Sequence, residues 1–197
     1  MKEKLYMFLD FDGVLNNEGS GYGDIEFEEN SEIGWSCRNV KSVLELIETL
    51  EKHFELKVIV SSAWKLNKTF KAFKYKLEKK ADTITDENKK KDVKLLISKF
   101  KDKTPDNNNP NVYSIKGEEV KNYLKEHNIT NDKILVLDDE IVITGYDNEV
   151  FYHVSCGPHK YGLSDFDNEV IMIYLHIHEF QLKGRKDVAW RINTISI

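Results

Sequence analysis

Short runs of apolar residues recur along the chain and are separated by segments of mixed polarity. Runs of this length without an alternating polar face are typical of strands buried on both sides of a parallel sheet. The predicted strands are Leu5–Leu9, Val58–Val60, Ile134–Leu137 and Val150–Val154.

The segments around these strands place apolar residues three and four positions apart, which is the spacing of amphipathic helices. The predicted helices are Cys37–His53, Trp64–Lys80, Asp92–Phe100, Gly117–His127 and Asp165–Phe180. Val112–Ile115 and the tail at 188–197 are candidates for further short strands. Strands that alternate with helices predict an α/β fold, a Rossmann-like three-layer αβα sandwich around a central parallel sheet.

The length of the chain predicts one domain over residues 1–197, which is enough to enclose a sizeable core. Residues 16–36 are rich in Gly and Glu and show no helical or strand period, so we expect a flap loop there. Residues 80–111 are a candidate for a small insertion. Their last part, Thr104–Asn111, is dense in Pro and Asn and is predicted to be a loop.

Charge and cysteine content place few limits on the function of the protein. A net charge of −5 gives no global attraction to nucleic acid, although the stretch from Lys65 to Lys103 holds 14 Lys against 6 Asp or Glu. That stretch could guide a polyanion, or it could be the solvated face of Lys-rich helices. Cys37 and Cys156 are too few for a disulfide framework and are expected to be buried thiols. Without a signal peptide or a membrane span, we expect a cytoplasmic protein with no membrane partner.

Pairs of acidic residues follow two of the predicted strands. Asp10 and Asp12 come at the end of the first strand, and Asp138 and Asp139 directly follow the third. Because side chains alternate along a strand, Asp10 and Asp12 are predicted to point the same way, while Phe11 points the other way. The carboxyl ends of parallel strands meet at one edge of the sheet, where α/β proteins bind ligands. Because buried carboxylates need compensating charge, the two pairs predict an oxygen-rich site for Mg²⁺.

The sequence DFDGVL, which begins at Asp10, resembles the first motif of the haloacid-dehalogenase-like (HAD) phosphohydrolases. The sequences VSSAWK, KGEEVKNYL and ILVLDDE resemble the second, third and fourth motifs and follow in the order that the family has. The resemblance spans Asp10 to Asp139 and implies a HAD-like fold. The gaps between the motifs leave no room for a large cap domain, as in a compact, capless subgroup of nucleotide and nucleic-acid-end phosphatases.

The resemblance also implies a role for each motif residue. Asp10 would be the nucleophile that forms an aspartyl-phosphate, and Asp12 would be the general acid and base. Ser61 and Lys116 would bind phosphoryl oxygens, which gives the catalytic set Asp10, Asp12, Ser61 and Lys116. The implied magnesium site is formed by Asp10, Asp12 through its backbone carbonyl, and Asp138, with Asp139 either as a further ligand or as a residue that acts through a water molecule or a hydrogen bond. Contacts to the substrate are expected from Gly13, Ser62, Lys116, His159 and Lys160.

We therefore expect a Mg²⁺-dependent phosphomonoester hydrolase whose substrate is a nucleotide or a nucleic-acid phosphate end. Tyr22, Trp35 and Trp64 could stack a base, although packing in the core is the commoner role of such residues. A sugar-phosphate phosphatase, a phosphotransferase and a non-catalytic phosphate-binding module on the same fold remain alternatives. A site without a cap is also compatible with a homo-oligomer in which a partner closes the site.

Overall fold

The structure, a computed structural model, describes residues 2–16, 25–26, 34–106, 115–130, 132–138 and 151–155. Within these residues the strands are β1 (Lys4–Leu9), β2 (Ile25–Glu26), β3 (Gly34–Trp35), β4 (Glu55–Val60), β5 (Phe100–Lys103), β6 (Lys133–Asp138) and β7 (Phe151–Ser155). The helices are α1 (Cys37–His53), α2 (Phe70–Asp82), α3 (Glu87–Lys99) and α4 (Ile115–Glu126), and a 3₁₀ turn covers Ala63–Lys65.

Five of these strands form one parallel sheet in the order β5-β4-β1-β6-β7. The central strand β1 pairs with β4 on one side and with β6 on the other, so that Leu9 lies opposite both Val60 and Leu137. The carboxyl ends of β4, β1 and β6 therefore lie next to one another. The predicted central parallel sheet is confirmed.

Alternation along β1 separates two apolar layers. Leu5, Met7 and Leu9 are fully buried and belong to a cluster with α1, α2 and α3 on one face of the sheet. Tyr6 and Phe8 belong to a second cluster with α4 on the opposite face. Because β4 and β6 divide their residues in the same way, the predicted three-layer αβα arrangement is confirmed.

Helix α1 covers the range that the sequence predicts, because its apolar residues form one continuous face. The buried members of this face are Val40, Val43, Leu44, Leu46, Ile47 and Leu50. The N–H of Phe54 donates to the carbonyl of Leu50 at 2.8 Å and closes the helix. Strand β4 begins at Glu55, before the predicted Val58. The apolar run does not reveal this start, because only Leu56 is apolar in Glu55–Lys57 and the three residues are exposed or partly exposed.

The predicted helix Trp64–Lys80 is wrong in its first part. The 3₁₀ turn occupies that part, and Asn67, with a φ of 57°, takes a left-handed conformation that no α-helix contains. Helix α2 begins only after Thr69, whose side chain caps it. The apolar spacing hides this break, because Leu66 continues the apolar face of Phe70, Phe73 and Leu77 in the pattern but is in fact exposed.

Helix α3 begins before the predicted Asp92, because the Asp86 carboxylate accepts hydrogen bonds from the N–H groups of Asn88 at 2.9 Å and Lys89 at 3.1 Å. The helix leads directly into β5, an edge strand that the apolar pattern does not predict. Only its first residue, Phe100, is buried, and the rest of the strand is polar. Residues 80–111, the candidate insertion, thus contain a core helix and the edge strand of the sheet.

The predicted flap at 16–36 contains regular structure. Strands β2 and β3 pair in an antiparallel arrangement, with Ile25 opposite Trp35 and Glu26 opposite Gly34. A two-residue strand is too short to show an alternating pattern, which explains why the sequence gives no sign of it. Between β1 and β4 the described residues hold only this pair and α1, and no large cap domain lies there, as predicted.

Several predictions fall partly or wholly outside the described residues. Helix α4 begins at Ile115, before the predicted Gly117, and residues 107–114 are not described. The predicted helix Asp165–Phe180, the tail at 188–197 and Cys156 also lie outside the described residues. Cys37 is half-buried against the core rather than fully buried. In the described part of the chain, no helix has both the length and the apolar character that crossing a membrane requires.

Candidate active site

The carboxyl edge of the sheet brings three predicted site residues side by side. The N–H of Asp10 donates to the carbonyl of Leu137 at 2.9 Å, and the N–H of Ser61 donates to the carbonyl of Leu9 at 3.0 Å. These bonds continue the sheet ladder one residue beyond β1, so Asp10 lies between Ser61 and Asp138. All three residues are fully buried.

Lys116 joins the two buried carboxylates. Its Nζ atom donates a hydrogen bond to Oδ2 of Asp10 and lies 3.4 Å from Oδ2 of Asp138. Lys116 is in the first turn of α4, and its side chain keeps 25% of its exposure. The first turn of α4 therefore places a cation at the carboxyl edge of the sheet.

The charges of this cluster are not balanced. Burial and, to a lesser extent, the nearby carboxylate of Asp138 raise the pKa of the Asp10 carboxyl to about 6, although Lys116 acts in the opposite direction. Oδ1 of Asp10 is buried and has no hydrogen-bond partner among the described residues. A buried carboxylate oxygen without a donor is costly, so this edge of the sheet has the electrostatic character of a cation site.

The oxygens at this edge are of the type that Mg²⁺ prefers. Asp10 and Asp138 are two of the predicted metal ligands. Asp139, a third, lies outside the described residues. The described part of the chain holds no group of three His, Cys, Asp or Glu side chains arranged for a metal ion.

The two serines after β4 differ in their surroundings. The Oγ atom of Ser61 is buried and has no hydrogen-bond partner within the described residues. In contrast, Oγ of Ser62 accepts a hydrogen bond from the N–H of Trp64 at 3.4 Å and caps the 3₁₀ turn. Ser61, next to Asp10, is thus the hydroxyl that has donor capacity left for a ligand.

Asp12 is placed differently from the sequence expectation. Strand β1 ends at Leu9, and residues 11–15 form a tight turn in which the N–H of Leu15 donates to the carbonyl of Phe11 at 2.8 Å. The alternation of a strand therefore does not set the direction of Asp12, which is exposed. Its carboxylate accepts hydrogen bonds from Nε1 of Trp64, at 3.2 and 3.0 Å, and from Nδ2 of Asn16 at 2.9 Å.

Phe11 anchors this turn in the core. Its ring lies 4.9 Å from the ring of Trp35 and 5.4 Å from that of Trp64, in edge-to-face contacts, and it stacks near Phe73 and Phe100. The anchor fixes the backbone between Asp10 and Asp12. Phe11, which lies between the two aspartates, thus has a structural role: it attaches the turn to the core.

Gly13 takes a φ of 72°, a left-handed conformation that suits glycine, and its N–H donates to Oδ1 of Asn16 at 2.9 Å. That bond ties Asn16 to the turn, so that its amide can reach Asp12. Sequence reasoning does not single out Asn16. Its position directly after DFDGVL is the only signal that points to it.

A family model described as the HAD domain in Swiss Army Knife RNA repair proteins matches residues 6–167 of the chain. The chain belongs to this HAD family. No curated protein and no solved structure matches it. The matched range is most of the chain and includes the turn after β1, Ser61 and Lys116, so the HAD domain contains every described residue of the site. The protein is a HAD-type phosphatase.

The remaining residues predicted to contact substrate differ in where they lie. Tyr22, His159 and Lys160 lie outside the described residues. Trp35 is fully buried and packs in the core, whereas Trp64 is partly exposed and contacts Asp12.

The Lys-rich stretch of the HAD domain is partly neutralised by ion pairs. These pairs are Lys94–Asp82 within the stretch at 2.6 Å, Lys99–Glu51 with α1 at 2.6 Å, and Lys103–Asp106 with the residues after β5 at 2.8 Å. The local excess of lysine in the sequence therefore overstates the positive charge that this part of the surface presents.

Proposed function

We propose that the protein is a Mg²⁺-dependent phosphomonoesterase that acts through an aspartyl-phosphate on the phosphate end of a nucleic-acid strand. The observation that carries the proposal is the contact of Lys116 with both Asp10 and Asp138, next to the buried hydroxyl of Ser61. A nucleophile, a cation and a hydroxyl donor meet there at the ligand-binding edge of a parallel sheet.

In the first step an oxygen of Asp10 attacks phosphorus and forms the aspartyl–phosphorus bond. The bond from phosphorus to the leaving oxygen breaks, and that oxygen takes the proton of Asp12. Lys116 and Ser61 hold the phosphoryl oxygens, where negative charge lies in the transition state. Lys116 also pairs with Asp10 in the resting protein, so it keeps the nucleophile ionised until the substrate arrives.

In the second step a water molecule gives its proton to the carboxylate of Asp12 and attacks phosphorus. The bond between phosphorus and Asp10 breaks, and inorganic phosphate leaves. Asp12 is again protonated, and Asp10 is again a carboxylate, so the cycle closes without any other reactant.

HAD enzymes generally use Mg²⁺, and the residues at this edge fit that ion. Asp10, Asp138 and the backbone carbonyl of Asp12 would hold it, and Oδ1 of Asp10 is a buried oxygen that lacks a donor. When bound, the ion supplies positive charge between the carboxylates and the phosphate. A divalent cation there would also counter the effect of burial and of Asp138 on the pKa of Asp10.

Two observations support a strand end as the substrate class. The family is named for RNA repair proteins, in which terminal phosphates are a natural target. In the described residues the site lies beside a short β2–β3 pair and has no large cap, which leaves room for a substrate that extends away from the phosphate. A free nucleotide could make the same contacts through its phosphate, but it would cover less of the protein surface than a strand.

The experiment is a phosphate-release assay with and without Mg²⁺. Its substrates are 3′- and 5′-phosphorylated oligoribonucleotides, the matching mononucleotides and ribose 5-phosphate. The proposal expects Mg²⁺-dependent release that is fastest from one of the strand ends. The variants Asp10→Asn and Lys116→Met are expected to lose release by about a thousandfold or more.

Lys125→Met serves as the matched control, because Lys125 is exposed on the same helix as Lys116. It should retain the wild-type rate. Full activity of Asp10→Asn would refute the mechanism. A preference for ribose 5-phosphate over every oligonucleotide would refute the substrate class and leave the mechanism intact.

A further inference from the structure

Trp64 contacts the carboxylate of Asp12 through the only polar atom of its side chain. Nε1 lies 3.2 Å from Oδ1 and 3.0 Å from Oδ2, across a separation of 52 residues in the sequence. Asn16 donates a second hydrogen bond to Oδ1 at 2.9 Å. An exposed carboxylate on a turn is thus held by two neutral donors that belong to different parts of the fold.

The core fixes the indole ring of Trp64. The ring packs edge-on against Phe11 at 5.4 Å and is stacked on Trp35 at 6.2 Å, with 22° between the two planes. The backbone N–H of Trp64 donates to Oγ of Ser62. Since the ring is held on its apolar faces, the direction of its N–H group is set before any substrate binds.

The two donors restrict Asp12 without using up its capacity for proton transfer. An ionised carboxylate offers about four lone-pair positions, and the contacts from Trp64 and Asn16 leave others open. A general acid must come within hydrogen-bond reach of the leaving oxygen. A carboxylate free to rotate about its side-chain torsions would spend only part of its time in that position.

We infer that Trp64 is a positioning residue for proton transfer by Asp12, an inference that rests on the proposed function. In the first step Trp64 holds Asp12 while the Asp12 proton moves to the leaving oxygen and the phosphorus–oxygen bond breaks. In the second step it holds the carboxylate that takes a proton from the attacking water. Packing alone does not require an N–H group here, because a phenylalanine ring could contact Phe11 as well.

The test is Trp64→Phe, which removes the N–H donor and keeps an aromatic ring in the cluster. Two substrates separate the steps: a 3′- or 5′-phosphorylated oligoribonucleotide, whose leaving alkoxide needs a proton, and p-nitrophenyl phosphate, whose leaving group does not. Trp64→Phe is expected to lower kcat for the oligonucleotide by about tenfold, a part of the factor that general acid catalysis supplies. With p-nitrophenyl phosphate the first turnover should keep its wild-type rate and be followed by a slower steady state, seen as a burst of nitrophenolate.

Asp12→Asn is expected to show the same pattern with a larger loss. Tyr75→Phe is the control, since it also removes the polar atom of an aromatic side chain and lies at an exposed position of α2 that makes no contact in the proposed site. It should leave both substrates at wild-type rates.

A first turnover slowed equally with both substrates, or no loss on either, would overturn the positioning role while wild-type activity and its dependence on Asp10 stand. If the wild-type protein releases no phosphate, or if Asp10→Asn keeps full activity, the proposed function fails and the role of Trp64 falls with it. The two failures are therefore distinguishable in one set of variants.

Discussion

The buried ion pair between Lys65 and Glu119 offers a sharp test of how the site is held together. Nζ of Lys65 lies 2.8 Å from Oε2 of Glu119, and both side chains are almost completely buried. The hydroxyl of Thr104 donates to the same oxygen at 3.2 Å, and Asp106 lies 3.4 Å from Nζ. Lys65 follows the serines after β4, and Glu119 is one helical turn from Lys116. The pair thus connects the two segments that are proposed to hold phosphate.

The expected magnitudes follow from this geometry. At 2.8 Å and an effective dielectric constant of about 20, the attraction is about 6 kcal/mol, which is comparable to the cost of removing both ions from water. The intact pair therefore contributes little net stability. Removal of one partner alone is expected to destabilise the protein. Lys65→Met leaves Glu119 charged and buried, and we expect it to lower the free energy of unfolding by about 3–5 kcal/mol.

Two further variants sharpen this prediction. Glu119→Met should cost less than Lys65→Met, because Asp106 remains near Lys65 as a second acceptor. The double variant should recover most of the loss, since two methionines replace the pair with apolar groups of similar length. The double-mutant cycle should therefore show strong coupling between the two positions.

The assay is urea unfolding of the metal-free protein followed by circular dichroism, with Lys71→Met as the control. Lys71 is exposed on α2, so this variant should change stability by no more than about 0.5 kcal/mol. If Lys65→Met unfolds at the same urea concentration as Lys71→Met, or if the double variant costs the sum of the two singles, the reasoning is refuted.

Three other predictions each concern one side chain. In the metal-free protein, stability should fall by up to about 3 kcal/mol as pH rises from 4 to 7, because the pKa of Asp10 is raised to about 6 and the native state binds the extra proton below that value. Urea unfolding of Asp10→Asn should lack this component. Ser61→Ala should leave stability unchanged, because its hydroxyl has no hydrogen-bond partner in the described residues, yet lower kcat/KM for phosphate release by about tenfold or more. Asp86→Ala should cost about 1 kcal/mol in thermal unfolding, since it removes the cap of α3; no change in Tm would show that the cap is dispensable.

The fold could be predicted from the sequence where burial dominates. The runs that became β1 and β6 are apolar because both faces of those strands are covered, and α1 shows its helical spacing because one face packs on the sheet. Edge strand β5 could not be predicted, because only Phe100 is buried there and the pairing with β4 is made by backbone groups that every residue carries.

The candidate site could also be predicted only in part. Asp10 and Asp138 could be brought together from the sequence, because the carboxyl ends of neighbouring parallel strands must meet at one edge. Lys116 was expected beside them only because KGEEVKNYL resembles the third motif of the family. The direction of Asp12 could not be predicted, because the strand gives way to a turn after Leu9. The bond from Trp64 was also beyond prediction, since it joins two loops whose proximity depends on aromatic packing in three dimensions.

The central claim is that Asp10 carries the phosphoryl group during catalysis. The most direct measurement is rapid acid quenching during turnover of a 3′- or 5′-phosphorylated oligoribonucleotide with Mg²⁺, followed by mass spectrometry of the peptide that contains Asp10. The account predicts a phosphoryl group on this peptide that hydroxylamine removes and that is absent from Asp10→Asn. Phosphate release without any phosphorylated form of this peptide, or with the phosphoryl group on another residue, would contradict it.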